Sequence, residues 1–536
     1  MKPRNVILLL LLLCGVLYFS RLGSLAFFEE DEPRFAAAAR TMLETGDYIT
    51  PRFNGKLRIN KPILYYWLAV PSLALFGVGE FGARFPSAVL TTALVLMLFL
   101  FARRYGSTRY AAIAAFATAT CLQFTVLGRA AVADMGFIFF LTAALLAFYR
   151  AYTDPADRRC VPLSWAALAL ATLAKGPAAV VLAGSVVLLF LLLRGDLGGG
   201  LRRLCTPLGL LLFLLIAVPW FAAELVLLGK TFYRGFFLAE HFGRYAGTAD
   251  PHHGPVWYFV PVLLGVFYPW SCFLPAGLAG VWRERHAASP LRFFCLCWIA
   301  VVFGIFSFCG TKLPHYIAPL YPAAALLVAW AWEERLARRA EGGWRFSLWM
   351  LAVVGGLLTA AFAILIHKGP QLLAPLAGGT PQPVGPAPAL LAVLFGVGWL
   401  GCLLLLRQWR PAPALGVLGG TLVAAILCLH LGLAPVIARH WQEPLRDLAV
   451  EAAAHVGDRG QIALFAYSAS GVVYYGRHPV VRVRQEQAYR LRAMARRGPL
   501  LVITTTRRLP HLPSDLGLRE LRRRGGFVLL GVGSGG

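Results

Sequence analysis

A chain of 536 residues that is 58% hydrophobic and only 14% charged, with a mean hydropathy of +0.66, is not an ordinary soluble domain, since those carry about 25% charged residues. The formal net charge of +26 at first suggests nucleic acid. A membrane protein, however, gathers Lys and Arg in its cytoplasmic loops for reasons of topology, so nucleic acid is set aside as a partner. The ten cysteines fall almost entirely in or beside apolar runs, where they read as small hydrophobes rather than as a disulfide framework.

Taken in order, the chain opens on a basic n-region and an apolar run (MKPRNVILLLLLLCGVLYFS) with no small-residue cleavage site, which predicts a retained first transmembrane helix. Further apolar segments lie near 84–102, 110–127, 132–149, 162–175, 177–193, 205–228, 256–281, 291–309, 314–332, 346–366, 388–406 and 412–432. Counted with the first, they predict about thirteen spans. With the N-terminus inside, every predicted cytoplasmic loop is basic: Arg103-Arg104 with Arg109, Arg150 with Arg158-Arg159, Arg194 with Arg202-Arg203, Arg283 with Arg285, Arg335 with Arg338-Arg339, and Arg407 with Arg410. That agreement places the polar stretch within 24–83 outside. There, Arg34–Glu44 predicts a short amphipathic helix, and Lys61–Phe76 an apolar, aromatic helix lying in the interface.

After Leu433 the composition changes. Residues 435–536 contain no spanning run and carry sixteen arginines against seven acids. QIALFAYS (461–468), GVVYYG (471–476), PLLVITTT (499–506) and GGFVLLGV (525–532) predict strands; 447–455 and 487–497 predict helices. The architecture expected is a transmembrane domain over 1–434 and a small α/β domain over 435–536 on the outer side. The arginines of that domain either meet anionic headgroups and phosphates or form a solvated surface.

Five polar features fall on the outer side: Asp31-Glu32, Lys61, Asp134, Lys175, and the histidines His252, His253 and His315. An ionisable group at membrane depth is costly and is either functional or paired, so Asp134 and Lys175 read as site residues or as a structural ion pair. Asp31 or Glu32 alone reads equally well as a helix N-cap.

The order of motifs around these residues closely resembles the first external loop of the GT-C membrane glycosyltransferases. The resemblance is strongest to the lipid A aminoarabinose transferases and their protein O-mannosyltransferase-like relatives. The motifs are Asp31-Glu32-Pro33-Arg34-Phe35, Gly46-Asp47-Tyr48, Pro51-Arg52-Phe53-Asn54-Gly55 and Lys61-Pro62-Ile63-Leu64-Tyr65-Tyr66-Trp67. Further matches are Gly128-Arg129 with Asp134, Leu173-Ala174-Lys175-Gly176-Pro177, Glu240-His241-Phe242-Gly243-Arg244-Tyr245 and Thr311-Lys312-Leu313-Pro314-His315-Tyr316. The resemblance implies a GT-C fold and transfer of a sugar from a polyprenyl-phosphate carrier to an acceptor at the outer face of a bacterial inner membrane. It implies Asp31 and Asp134 as catalytic acids, and Lys61, Arg244 and Lys175 as cations for the carrier phosphate. It also implies a divalent metal, zinc or magnesium, for which His253 and His315 are the candidate ligands. Asn60 stands where the aminoarabinose transferases carry a Glu ligand, and Asn is a poor one for zinc, so the metal and the identity of the sugar are both put in question. The acceptor implied is lipid A or another envelope glycolipid, with a protein or polysaccharide as the alternative. A lipid flippase or transporter is disfavoured because the polar residues gather at one face and no halves repeat.

Overall fold

The computed structural model describes residues 2–243, 253–283, 290–337, 343–374, 379, 381–457 and 460–532. Every apolar segment read from the sequence is helical. Among the described residues, seven helices are long and apolar enough to cross a membrane, or eight if one bent pair counts as a span. Others, such as Cys160–Lys175 and Ala178–Leu193, are short apolar helices meeting at Gly176, whose positive φ of 73° ends the first. The segment expected as one span over 256–281 is instead broken, its halves Val256–Val266 and Trp270–Val281 meeting at 108°. Pro269 sits in the break and has no N–H to continue the helical ladder. The bend buries Trp270, whose indole N–H donates to Thr120 Oγ1 at 3.0 Å.

The first helix, α1 (Pro3–Cys14), relaxes into a wider turn over Gly15–Phe19, and the Tyr18 hydroxyl donates to the Ala119 carbonyl at 2.7 Å. The outer stretch then folds into α2 (Asp31–Thr45), a hairpin of β1 (Arg52–Phe53) and β2 (Lys56–Leu57), and α3 (Leu64–Phe76), before the long α4 (Glu80–Tyr105) begins. Gly46, at φ 72°, closes α2 by donating its N–H to the Met42 carbonyl. The hairpin turns on Asn54-Gly55, both at positive φ, as a tight two-residue turn requires. Trp67 and Trp220 fasten the intervening loop by donating to the carbonyls of Tyr48 and Ile49. α3 buries Leu64, Tyr65, Tyr66, Ala69, Val70, Ser72 and Leu73 against the protein, leaving Trp67, Leu75 and Phe76 outward.

One buried ion pair locks this stretch to the spanning helices. Arg84 and Glu32 are 4% and 6% exposed at the side chain and meet in a fork, Nε to Oε1 and Nη2 to Oε2, both at 2.8 Å. The remaining guanidinium hydrogens go to the carbonyls of Leu22, Leu25 and Ala26. Glu32 also accepts from the backbone N–H groups of Phe28 and Ala131. Every polar atom of the pair is engaged, which is the condition under which a buried charge pair is tolerated.

At the other end of the chain a helical run extends over Pro411–Val456, so no loop marks the expected boundary at 434/435. The C-terminal sheet comprises β3 (Gln461–Phe465), β4 (Val480–Val483), β5 (Leu500–Thr505), β6 (Leu518–Arg524) and β7 (Phe527–Val532), ordered β4-β3-β5-β7-β6. The β3–β4 and β3–β5 pairs are parallel and the others antiparallel. Ile462, Leu464 and Ile503 face the helix Glu443–Val456, while Phe465, Val502 and Leu530 face Leu491 and Met494, so the central strands are buried on both sides.

One reading of this domain is corrected, and the strands β4 and β6 were not foreseen. Residues 471–476, expected as a strand, belong to a helix, Ser470–Gly476. Val and Tyr favour strands, but the Glu29 carboxylate accepts from the N–H groups of Ser470 (2.7 Å) and Gly471 (2.5 Å), which caps a helix there. β6, a strand of sequence LRELRRR, shows no alternation of apolar residues because it is an exposed edge. The first outer stretch and the C-terminal domain are stitched together along this line. Phe27 N–H donates to Tyr475 Oη, Arg40 Nη1 to the Tyr474 carbonyl, and Arg34 Nε to Ser470 Oγ. Asn54 pairs with the backbone of Val480 through both ends of its amide, Nδ2 to the carbonyl and Oδ1 from the N–H, at 2.8 and 2.9 Å.

Candidate active site

The site is built from element ends. Asp31 is the first residue of α2, Asp134 the first of the spanning helix Asp134–Thr153, and Lys175 the last of Cys160–Lys175. Carboxylates at helix N-termini and a cation at a C-terminus each complement the helix dipole, so the backbone favours these charges where they stand. Lys61 lies just before α3, Glu240 in the helical turn Tyr233–Phe242, and His315 in the tight turn Pro314–Leu320.

These ends converge. Lys175 Nζ donates to Asp134 Oδ1 at 2.7 Å, and His315 Nε2 lies 3.7 Å from the same oxygen. Lys61 Nζ donates to Glu240 Oε1 at 2.5 Å. Lys61 and Asp31 both act electrostatically on His315, and Lys61 also acts on Asp134, so the two pairs and Asp31 share one field. Burial, helped by Lys175 and Lys61, pushes the His315 imidazole down to about 4 against the pull of Asp134. His315 is therefore neutral at pH 7, and its contact with Asp134 is that of an uncharged ring beside a carboxylate. Asp31 is exposed, whereas Asp134 and Glu240 are 14% and 13% exposed at the side chain.

The neighbouring aromatic residues hold the frame. Arg58, buried under α3, donates to Tyr66 Oη at 2.8 Å and lies over the Phe35 ring at 4.6 Å. In the motif Thr311–Tyr316 the lysine is not at the site. Lys312 is buried and donates to the carbonyls of Ser307 and Cys309, closing the end of the preceding helix. Of the histidine set, His253 is exposed and pairs by backbone with Thr311, while His252 lies outside the described residues, as does Arg244. Among the described residues no three His, Cys, Asp or Glu side chains come close enough to hold a metal ion. The acid nearest His315, Asp134, already accepts from the Lys175 ammonium, and no chemical step is assigned to a divalent ion.

Sequence reasoning found Asp31, Lys61, Asp134, Lys175 and His315, and the structure brings them together. It missed Glu240 as the partner of Lys61, although Glu240 opens one of the quoted motifs. It grouped Asp31-Glu32 as one outer feature and took Asp31 as the acid from the resemblance; Glu32 is paired with the buried Arg84, while Asp31 acts electrostatically on His315.

Residues 60–222 match the family profile described as dolichyl-phosphate-mannose-protein mannosyltransferase. The chain is 32% identical over 428 residues, covering 78% of itself and 74% of the relative, to an undecaprenyl phosphate-alpha-4-amino-4-deoxy-L-arabinose arabinosyl transferase of Pseudomonas fluorescens. The chain belongs to the aminoarabinose transferase family of membrane glycosyltransferases. Another family member, from Pseudomonas paraeruginosa, is 34% identical over 68% of this chain, an alignment spanning 65% of that relative's own length. The crystal structure of ArnT from Cupriavidus metallidurans bound to undecaprenyl phosphate shares the transferase fold, with a TM-score of 0.79 over 99% of this chain and 98% of the other at 24% identity. The apo oligosaccharyltransferase of Archaeoglobus fulgidus shares it more distantly, with a TM-score of 0.57, 12% identity, and coverage of 95% of this chain and 70% of that one. That the match to ArnT runs through the C-terminal sheet extends the family fold beyond the motifs of the first 435 residues.

Proposed function

We propose that this chain transfers a sugar from a polyprenyl-phosphate carrier to lipid A or a related envelope glycolipid at the outer face of a bacterial inner membrane. The observation that carries this reading is the convergence of Asp31, the Asp134–Lys175 pair, the Lys61–Glu240 pair and His315 at helix ends, in a member of a family whose relatives are named for that donor. In the reaction the bond between the anomeric carbon and the carrier phosphate oxygen breaks, and a bond from that carbon to an acceptor oxygen forms. The leaving phosphate keeps the electron pair, and Lys61 is placed to meet the charge as it grows. Asp31, open to the acceptor, orients the attacking oxygen and takes its proton where that oxygen is a hydroxyl. Asp134, held by Lys175, is the second orienting acid. Arg244 is proposed as a further cation for the carrier phosphate.

Thirteen spans, with the C-terminal domain periplasmic over 435–536, remain the reading supported by the six basic loops. The test is mass spectrometry of lipid A and envelope glycans from cells with and without the gene, in which a mass difference of one sugar is expected. Purified protein retaining near-normal transfer after both Asp31→Asn and Lys61→Ala would sink the site assignment. A sugar found instead on protein or polysaccharide would select the alternative acceptor.

A further inference from the structure

The motif Gly46-Asp47-Tyr48 takes no part in the reaction proposed above, yet it lies in a loop that covers a buried acid. Glu224 stands near the outer end of the spanning helix Pro207–Leu228. Its neighbours Leu225, Val226 and Leu227 are exposed along the apolar flank of that helix, whereas Glu224 turns inward and is fully buried. Neither of its carboxylate oxygens has a hydrogen-bond partner among the described residues. The polar side chains that face it are Thr50, Asp47 and Arg52, all from the segment that joins α2 to the hairpin and opens β1. One turn earlier on the same helix, the Trp220 indole fastens that segment through the Ile49 carbonyl at 3.0 Å, so the two elements are held in register.

Asp47 uses Oδ1 for its own turn, accepting from the N–H groups of Ile49 and Thr50 at 3.1 Å each, and its Oδ2 has no partner among the described residues. Thr50 is buried with Glu224 and brings a hydroxyl. Arg52 is exposed, and its side chain makes no hydrogen bond or ion pair among the described residues, so water screens its charge. An ionisable group within a spanning helix is paired or functional, and a buried polar atom without a partner costs free energy, most of all when charged. Glu224 therefore calls for a cation that the side chains around it do not supply. The donor set is wholly oxygen, two carboxylates and a hydroxyl carrying two negative charges, which suits a hard divalent cation. Calcium accepts the irregular, partly bidentate geometry of a loop set against a helix, where magnesium demands a near-ideal octahedron. Zinc would want His or Cys, and neither is among these donors.

We propose that Glu224, Asp47 and Thr50 form a calcium site that clamps the segment after α2 to the outer end of the helix Pro207–Leu228. Glu224 supplies both carboxylate oxygens, Asp47 its Oδ2 and Thr50 its hydroxyl, and water completes the shell. Because α2 begins at Asp31 and the hairpin leads on to Lys61, the ion fixes the span between the two ends of the first outer stretch. The test uses the full-length protein in phosphatidylcholine nanodiscs, stripped with a chelator. Terbium, a calcium analogue, is titrated and followed by tryptophan-sensitised luminescence, and calcium is then added to displace it. Wild type is expected to bind terbium saturably and to release it to calcium. Glu224→Gln should weaken binding by about tenfold or more, since affinity at such sites follows the number of ligand charges. Asp47→Asn keeps an oxygen for the Ile49 and Thr50 N–H groups and should weaken binding similarly, which covers the case in which the Glu224 variant folds poorly. Asp31→Asn should bind as wild type does. Absence of saturable binding by wild type overturns the proposal and leaves Glu224 a buried neutral acid. Wild-type affinity in either the Glu224→Gln or the Asp47→Asn protein also overturns it, as does loss of binding in Asp31→Asn, which would move the ion to the site of Asp31 and Lys61. Binding is read without turnover, so the result does not depend on the sugar or acceptor that the protein uses.

Discussion

Glu32 and Asp31 are adjacent, yet their replacement is expected to have opposite consequences. The Glu32 carboxylate accepts four hydrogen bonds, two of them from Arg84, at a site from which water is excluded. Removing one partner of such a pair leaves the other charged and buried, a loss of about 3–5 kcal/mol. Glu32→Ala should therefore destabilise the protein by that amount. Glu32→Ala combined with Arg84→Met should cost less than the two changes added, with a coupling of about 2 kcal/mol. The double variant will not be neutral, because Arg84 also satisfies the carbonyls of Leu22, Leu25 and Ala26. Asp31→Asn, at an exposed position, should shift stability by no more than about 0.5 kcal/mol while abolishing transfer. The assay is unfolding of the purified protein in mixed micelles by a denaturing detergent, run as a double-mutant cycle beside a transfer assay. A coupling below about 0.5 kcal/mol, or an Asp31→Asn variant as unstable as Glu32→Ala, would refute the reasoning.

The remaining predictions concern pH and the Lys61 pair. Because the folded His315 imidazole titrates near 4 rather than 6.5, the unfolded chain binds the extra proton first. Stability should thus fall as pH drops from about 6.5 toward 4, and His315→Gln should flatten that part of the curve measured by thermal unfolding. Glu29 runs the other way, since burial pushes its carboxyl up to about 7 against the two N–H groups that favour the ion. The folded state keeps its proton longer, so stability is lost as pH rises from about 4.5 through 7. Thermal stability should fall over that range, and Glu29→Gln should remove the dependence. Glu240→Gln should leave Lys61 without its carboxylate partner at 2.5 Å, and the expected result is a change of about tenfold in kcat/KM with binding of the lipid carrier retained. Carrier binding lost altogether would show Glu240 to be part of the lipid site instead.

The helical, membrane-spanning character was legible because periodicity is irrelevant when a helix is apolar all round; length and hydropathy suffice. The Val256–Val281 bend was not, since Pro269 within an apolar run is compatible with either a kink or a break, and only packing around Trp270 decides. In the C-terminal domain β3, β5 and β7 were legible as apolar runs, whereas LRELRRR conceals an edge strand and GVVYYG conceals a helix whose cap is donated by Glu29, more than 400 residues earlier. The Asn54-Gly55 turn was a local signal that sequence reading passed over. For the site, the charged residues stood out against an apolar chain, but their pairing did not. Only the motif resemblance singled out Asp31 from Glu32, and nothing in the sequence tells that Lys312 would be consumed by carbonyls while His315, three residues on, would reach Asp134.

The amide of Asn54 finishes the β4 edge of a sheet built from residues more than 400 positions away, and Glu29 finishes a helix of the same domain. The two termini of the gene thus encode a single folded object interrupted by the spanning helices. Chimeras that exchange the C-terminal domain between relatives should inherit a mismatched seam unless residues 24–83 travel with it. A truncation at 434 would strip Glu29, Asn54 and Arg40 of their partners at once, leaving the loop that bears Asp31 and Lys61 without the wall it is built against.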